Sequence, residues 1–199
     1  MKRSRTTNLP IDRTLGVSIT VKELTESIGK LNDISPGPDG PKKEDVKRIP
    51  WRKLMLLFNI YLATMYSPRF LHLGSVTLVS KTAKPENPGQ YRPITVTSMI
   101  LRAYHSVIAK RLQRLPLSPR QKAFLPRNGI AENSWIIDQI IHGAKWECRE
   151  LRLVFVDVAK AFDSLSHSSL IQACERIGIP SNLVEYFRVM YSEAEVRFK

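Results

Sequence analysis

The chain has 199 residues, of which 43% are hydrophobic and 25% are charged. These are the proportions of a globular chain, and they exclude collagen-like, coiled-coil and wholly disordered proteins. Lys and Arg number 31 against 18 Asp and Glu, which leaves a formal net charge of +13 and a pI near 10.0. So large a surplus favours a polyanionic partner, either a nucleic acid or an acidic membrane surface.

The cysteines and the apolar segments indicate the cellular compartment. Cys148 and Cys174 are too few for a disulfide framework, so no disulfide partner is expected. The longest mostly apolar run, residues 54–66, is too short to span a bilayer, and the N-terminus lacks the apolar segment of a signal peptide. The expectation is a soluble intracellular protein with no membrane partner.

The positive charge is concentrated in the middle of the chain. Residues 69–127 carry 11 basic side chains and one acidic one, whereas residues 128–199 carry 8 basic and 10 acidic ones. A solvated basic face is the plain alternative, but a phosphate-binding surface explains the segregation better. The candidate nucleic-acid-binding residues are Lys84, Arg102, Lys110, Arg111, Arg114, Arg120, Lys122 and Arg127.

The first half of the chain predicts helices followed by a hairpin. Thr20 and Glu23 fit a capping box that opens a helix, which the Pro/Gly-rich residues 35–41 must end. A second helix is expected from about Pro50, with a broad apolar stripe that indicates core packing. Two β-branched runs, residues 76–79 and 94–97, flank a Pro/Gly-rich turn and predict a β-hairpin.

The second half alternates helices with short apolar runs. A helix with an apolar face is expected over residues 100–115, ended by Pro116 and Pro119, and a loop is expected over residues 120–130. The next helix should be capped near Asn133 or Ser134. Two further helices are expected, one after Ser168 that stops at Gly178 and one that opens at Pro180 and Ser181, followed by a strand over residues 196–198. Residues 153–156 are wholly apolar and predict a strand buried on both faces.

Asp157 directly follows that predicted strand. A carboxylate at the end of a buried strand suits Mg²⁺, which takes oxygen ligands, although a lone Asp there is more often a turn or cap residue. Its neighbours change the interpretation. Residues 157–167 read DVAKAFDSLSH and closely resemble the first catalytic motif of reverse transcriptases from LINE-type (non-LTR) retrotransposons and group II introns.

Other segments resemble that family in the expected order. Residues 36–40 (PGPDG) look like the turn of its N-terminal extension to the fingers, and residues 121–124 (QKAF) resemble the element that lies along the template. Residues 79–81 (VSK) and 91–94 (YRPI) look like its two fingers strands. The resemblance covers roughly residues 30–199. Within it, the short stretch at residues 159–167 (AKAFDSLSH) looks closest to elements that insert at specific genomic sites.

The resemblance implies a role for each matching residue. Asp157 would bind both Mg²⁺ ions, helped by the main-chain carbonyl of Val158, and the metals would activate the primer 3′-hydroxyl. Lys81 and Arg92 would neutralise the β- and γ-phosphates of a dNTP. Phe162 would stand where a ribose 2′-hydroxyl must go. The implied partners are an RNA template, a DNA primer and a dNTP, in the nucleus for an active retrotransposon.

Two further side chains of the motif are expected to be structural. In the family pattern Asp163 is not a metal ligand, and a structural hydrogen bond is expected for it. His167 is expected to cap or orient the helix that follows. The sequence also departs from the family, which usually has Pro at the position of Ser80 and Gly at the position of Ala123; both differences affect backbone geometry.

The implied fold is α+β, a fragment of the right-hand polymerase fold. Residues 1–30 would form an N-terminal segment and the start of the first helix, residues 31–130 the fingers, and residues 131–199 the start of the palm. The family continues with a paired-Asp hairpin that is not in this sequence. The chain is therefore expected to be inactive alone, with an exposed apolar edge on the strand at residues 153–156.

Two other functions remain open at this stage. In an RNA-directed RNA polymerase fragment, Asp163 could mimic the second Asp of the motif, but the aromatic Phe162 beside it would exclude ribonucleotides. A non-enzymatic nucleic-acid-binding remnant would keep the basic fingers without the chemistry. An open reading frame beyond Lys199 that contains a Tyr/Phe-Ala-Asp-Asp segment would favour the enzyme.

Overall fold

The computed structural model describes residues 10–32, 35–115, 117–162 and 164–198. Pro116 and Asp163, which carry two of the expectations above, lie outside these ranges. The helices, in chain order, are α1 (Val21–Gly29), α2 (Lys43–Arg48), α3 (Trp51–Thr64), α4 (Arg69–His72), α5 (Met99–Leu112), α6 (Gly129–Trp146), α7 (His167–Arg176) and α8 (Ser181–Glu193). The strands are β1 (Leu73–Ser80), β2 (Tyr91–Val96) and β3 (Glu195–Phe198), and short 3-10 turns cover Arg13–Gly16 and Pro88–Gln90.

The N-terminal helices begin where local chemistry predicts. The capping box is confirmed: the Glu23 N–H donates to Thr20 Oγ1 at 3.3 Å, and the Thr20 N–H donates to Glu23 Oε2 at 3.0 Å. These two bonds satisfy donors that a helix start otherwise leaves unpaired. The second predicted helix is α3, which ends at Met65 in a left-handed conformation (φ 57°).

The hydrophobic core is helical and rich in aromatic rings. The rings of Phe58 on α3 and Tyr186 on α8 both pack against Tyr104 on α5, with centroid separations of 5.3 and 5.5 Å. His105 joins this cluster through a 2.7 Å hydrogen bond between its Nε2 and the Tyr186 hydroxyl. Burial lowers the pKa of His105 to about 4, so this imidazole is neutral at pH 7.

The sheet has the strand order β2-β1-β3. β1 and β2 form the predicted antiparallel hairpin, in which Val79 lies opposite Arg92. The strand predicted over residues 196–198 is confirmed as β3, which pairs with β1 in parallel. Pro93 is tolerated within β2 because β2 is an edge strand and needs to pair on one side only. Helices around a small sheet agree with the predicted α+β class.

Two predicted helix starts are wrong by a few residues. α6 is capped by Asn128, whose Oδ1 accepts from the Ala131 N–H at 3.1 Å, and not by Asn133 or Ser134. α7 is capped by Ser166, whose Oγ accepts from the Ser169 N–H at 3.1 Å, so the helix begins before Ser168. Both sequences offer several side chains able to cap a helix, and the local pattern does not select among them.

The prediction of a strand buried on both faces at residues 153–156 is wrong. The segment is not in the three-stranded sheet, and Val154, Phe155 and Val156 are 85%, 78% and 84% exposed. A strand is buried on two faces only when neighbouring strands pair with it and layers cover it. Within the described residues no strand pairs with this segment. Its apolar side chains are exposed, as expected for a strand without partners.

None of the helices in the described ranges combines the length and the apolar character that crossing a membrane requires.

Candidate nucleotide and nucleic-acid site

The β1–β2 hairpin projects from the core as a solvent-exposed arm. The first half of β1 is buried from Gly74 to Val76, whereas its second half, Thr77 to Ser80, is exposed. On the exposed half, Leu78 and Val79 retain about half of their accessible surface, as does Ile94 on β2. The buried half anchors the hairpin, and the exposed half presents its side chains to solvent on both faces.

The register of the hairpin places Lys81 and Arg92 on one face. Lys81 extends the pairing beyond β1 because its N–H donates to the Gln90 carbonyl at 2.7 Å. Lys81 therefore lies opposite Gln90, and Arg92 is two residues further along β2, as a diagonal neighbour. Lys81 Nζ donates to the Gly89 carbonyl at 2.9 Å, and both side chains belong to exposed residues.

The Pro/Gly-rich turn at residues 36–40 packs against the end of β2 and the start of α5. Asp39 Oδ2 accepts from Ser98 Oγ at 2.6 Å, and Ser98 Oγ in turn caps α5 by accepting from the Ile100 N–H. A Cβ on Gly37 would lie 2.6 Å from the Ser98 nitrogen, so only glycine permits this approach. The sequence shows the turn, but its role in fixing α5 is visible only in the structure.

Five of the eight predicted nucleic-acid-binding residues form intramolecular contacts, Arg111 in the core and four others nearer the surface. The contacts of these four are Arg102 with the Ser35 carbonyl (2.9 Å), Lys110 with Glu26 (3.6 Å), Lys122 with Glu132 (2.6 Å) and Arg127 with Glu132 (3.7 Å). The hydrogen bond from Lys122 holds the pKa of Glu132 below its usual range. Lys84, Arg114 and Arg120 are exposed, and none of them forms a salt bridge within the described residues.

The assignment of Arg111 to an exposed basic surface is wrong. Arg111 is 2% exposed, and its guanidinium donates to both carboxylate oxygens of Glu23 at 2.9 Å. Its remaining donors bind the carbonyls of Leu15, Val17 and Ser18. The guanidinium ties the 3-10 turn and α1 to α5, because its planar fork can bind a carboxylate and several carbonyls at once. Periodicity places Arg111 outside the apolar stripe of α5 but cannot show what packs over it.

The segment that resembles the catalytic motif is exposed throughout its described part. Asp157 is exposed, Val158 is 61% exposed and Phe162 is 82% exposed. Within the described residues Asp157 forms no salt bridge with Lys81 or Arg92. His167 is the first residue of α7 and its ring lies 4.9 Å from that of Tyr191.

Phe162 contacts an aromatic ring from a distant part of the chain. Its ring centroid lies 6.3 Å from that of Phe124, and the two ring planes meet at 79°. The turn that carries Phe124, residues 121–127, follows α5 and precedes α6. The sequence places Phe124 in the template-like element without giving it a role of its own, and no local pattern indicates this contact.

The described residues do not complete a metal site. Mg²⁺ takes several oxygen ligands in near-octahedral geometry. Within the described ranges no group of three or more His, Cys, Asp or Glu side chains is placed to hold a metal ion. Asp157 is therefore one available carboxylate and not a full ligand set.

Lys81, Arg92, the template-like turn and the exposed Asp157–Phe162 segment all lie within one continuous stretch of the chain. Residues 80–199 match the family described as reverse transcriptase (RNA-dependent DNA polymerase). The chain therefore belongs to the reverse transcriptase family, as its motifs predict.

Its relatives are proteins of non-LTR retrotransposons. The chain is 32% identical over 175 residues to the Retrovirus-related Pol polyprotein from type-2 retrotransposable element R2DM of Drosophila melanogaster, with 87% of this chain and 16% of the relative covered. It is also 32% identical over 177 residues to the R2 Pol polyprotein of Popillia japonica, covering 88% and 25%. The probable RNA-directed DNA polymerase from transposon BS of Drosophila melanogaster is 28% identical, covering 94% and 22%. The chain thus spans a quarter or less of these relatives.

Proposed function

We propose that this chain forms the fingers and the first part of the palm of a retrotransposon RNA-directed DNA polymerase with the right-hand fold. The observation that carries the proposal is the hairpin arm, whose register places Lys81 and Arg92 on one exposed face. Two cationic side chains that are diagonal neighbours on one face of a hairpin can each bind one of two adjacent phosphate groups of a nucleoside triphosphate. The family match over residues 80–199 supports a dNTP as the ligand. If the chain is part of an active retrotransposon, as its relatives are named, the nucleus is the expected place of action.

The template and primer would bind along the exposed part of the basic middle segment. Lys84, Arg114 and Arg120 are exposed, so their charges are available to phosphates. Arg102, Lys110, Lys122 and Arg127 are already paired within the chain and would contribute a weaker, longer-range field. The +10 net charge of residues 69–127 supports binding of an RNA template paired with a DNA primer with little sequence preference.

Asp157 and the Val158 carbonyl would supply part of a Mg²⁺ site. A two-metal site needs further carboxylates, since one Asp cannot hold two divalent ions about 4 Å apart. We therefore propose that the isolated chain does not extend a primer. Phe162, five residues after Asp157 in the motif, would lie beneath the sugar and exclude a 2′-hydroxyl, which favours DNA over RNA synthesis.

Binding of a labelled RNA–DNA hybrid at several salt concentrations tests the proposal. Affinity should fall steeply with salt, because each bound phosphate releases counterions. Replacing Arg114 and Arg120 with Gln should lower the slope of log affinity against log salt by about one for each phosphate that is no longer bound, equally for all sequences. The matched control replaces Arg48 and Lys53, two exposed cations outside the basic segment, with Gln. The proposal would be contradicted by an affinity that does not depend on salt. It would also be contradicted if the control lowered the slope of log affinity against log salt as much as the Arg114 and Arg120 replacements do.

A further inference from the structure

Two exposed aromatic rings from separate turns meet at the proposed sugar position. Phe124 and Phe162 are 81% and 82% exposed, and their rings are arranged edge to face at 6.3 Å. Edge-to-face contact places the positive edge of one ring against the negative face of the other, so it favours one relative orientation. Each ring lies mostly open to solvent, so this contact restrains two side chains that little else surrounds.

The backbone around Phe124 is held from both sides. Phe124 has a left-handed φ of 60°, which is costly for a bulky residue and persists only where its surroundings impose it. On one side the Gln121 side chain donates to the Ala123 carbonyl at 3.0 Å. On the other, Lys122 is paired with Glu132, and Gly129 packs so closely that a Cβ would lie 2.7 Å from the Lys122 carbonyl oxygen. The turn that carries Phe124 is therefore restrained by contacts on both sides.

The turn that carries Phe162 has less support. Lys160 also has a left-handed φ, of 50°, and its carbonyl accepts from the Ser164 N–H at 2.9 Å. In the part of the chain that the structure describes, no core element covers the Phe162 ring, which retains 82% of its accessible surface. A side chain excludes a ligand atom precisely enough to discriminate only when its rotamer is held by a neighbour. Within the described residues the aromatic neighbour of Phe162 is Phe124.

We propose that Phe124 is a positioning residue for sugar discrimination. Its ring holds the Phe162 ring in the orientation that blocks a 2′-hydroxyl, and the fixed turn at residues 121–127 supplies the rigidity. The turn that resembles the template-binding element is thereby coupled to the choice of sugar. This inference rests on the proposed role of Phe162.

Single-nucleotide incorporation tests the inference in a polymerase where this chain replaces the matching 175 residues of the R2DM polyprotein. The readout is the ratio of kcat/KM for a dNTP to kcat/KM for the matching rNTP. Phe124→Leu, which keeps the apolar bulk without a ring, should lower this ratio about three- to tenfold, the range that an aromatic pair supports. Phe124→Tyr should retain the ratio, and Phe124→Leu should have no further effect when Phe162 is already Val.

The matched control is Phe70→Leu, a change of the same kind at a ring on α4 that is 64% exposed and outside the aromatic pair. It should leave the ratio unchanged. If Phe162→Val lowers the ratio while Phe124→Leu does not, the positioning role is wrong and the proposed role of Phe162 stands. If Phe162→Val leaves the ratio unchanged, the proposed role of Phe162 fails and the positioning role fails with it.

A second measurement follows the ring contact without catalysis. The 199-residue chain with 4-fluorophenylalanine at position 162 should show a changed ¹⁹F resonance when Phe124 is replaced by Leu, because the ring current of Phe124 is removed. The same resonance should not move with Phe70→Leu. An unchanged resonance in the Phe124→Leu chain would overturn the contact on which the positioning role depends, whatever the kinetic result.

Discussion

Residues 10–115 and 167–198 pack together around one core, whereas the described residues between 117 and 165 contribute a single buried side chain, Ala144. The first region buries Phe58, Tyr104 and Tyr186 almost completely. The second leaves Trp146 and Phe155 91% and 78% exposed. The segments that resemble the template element and the catalytic motif both belong to this second, sparsely packed region.

The difference separates the residues that stabilise the chain from those proposed to act on nucleic acid and nucleotide. The packed region holds the hairpin arm by its buried end and anchors α5 through the turn at residues 36–40. The open region exposes several large apolar side chains, among them Trp146, Val154 and Phe155, and exposed apolar surface often marks a site of interaction. Its turns are held by hydrogen bonds and ion pairs rather than by a core, so its substitutions should change function more than stability.

The largest expected difference in stability between the two regions is between substitutions of two phenylalanines. Phe58→Ala should lower the free energy of unfolding by about 3–5 kcal/mol, since it removes a fully buried ring and leaves a cavity. Phe155→Ala, in the open region, should change it by less than about 0.5 kcal/mol. Urea unfolding followed by circular dichroism gives both values. A decrease above about 2 kcal/mol for Phe155→Ala would show that the open region has a core of its own.

The second contrast is between two arginines that the sequence treats alike. Arg111→Met should destabilise the chain by about 3 kcal/mol, because it leaves Glu23 and three carbonyl oxygens without their donor. Arg114→Met should leave stability nearly unchanged and weaken binding of an RNA–DNA hybrid. Urea unfolding and binding titration on the same two proteins separate the effects. Equal stability of the two variants would contradict the structural role of Arg111.

The smallest expected effect is the pH dependence contributed by Glu23. The hydrogen bonds from Arg111 lower the pKa of this carboxyl from 4.5 to about 2 in the folded chain. A pKa below its unfolded value means that the stabilisation is present above about pH 4.5 and is lost as the pH falls towards about 2. Glu23→Gln should therefore flatten the decline of the unfolding midpoint between these pH values.

Glu26→Gln is the matched control for the pH experiment. Glu26 lies one helical turn from Glu23 on α1, its side chain retains 53% of its accessible surface, and its partner Lys110 is 3.6 Å away. Exposed ion pairs contribute little to stability. The pH profile of this variant should follow that of the unchanged chain. A profile that moves as much as that of Glu23→Gln would mean that the effect comes from overall charge and not from the buried guanidinium.

The structural features that the sequence predicts correctly are those that depend on interactions between residues close together in the chain. The Thr20–Glu23 capping box, the break at residues 35–41 and the Pro/Gly turn of the hairpin all depend on near neighbours. The family motifs are local as well, so the resemblance to reverse transcriptases was readable from residues 79–94 and 157–167. The helix starts at Asn128 and Ser166 were missed by a few residues because several side chains there could serve as the cap.

Contacts between distant residues were decided only by the tertiary structure. The burial of Arg111 depends on residues about 90 positions earlier, and the parallel pairing of β3 with β1 joins segments more than 100 residues apart. The Phe124–Phe162 contact joins two turns that have no shared sequence pattern. The exposure of residues 153–156 has the same cause, since an apolar run is a buried strand only where other strands pair with it. Local sequence carries the preference for a strand, but hydrogen-bonding partners and covering layers come from elsewhere in the fold.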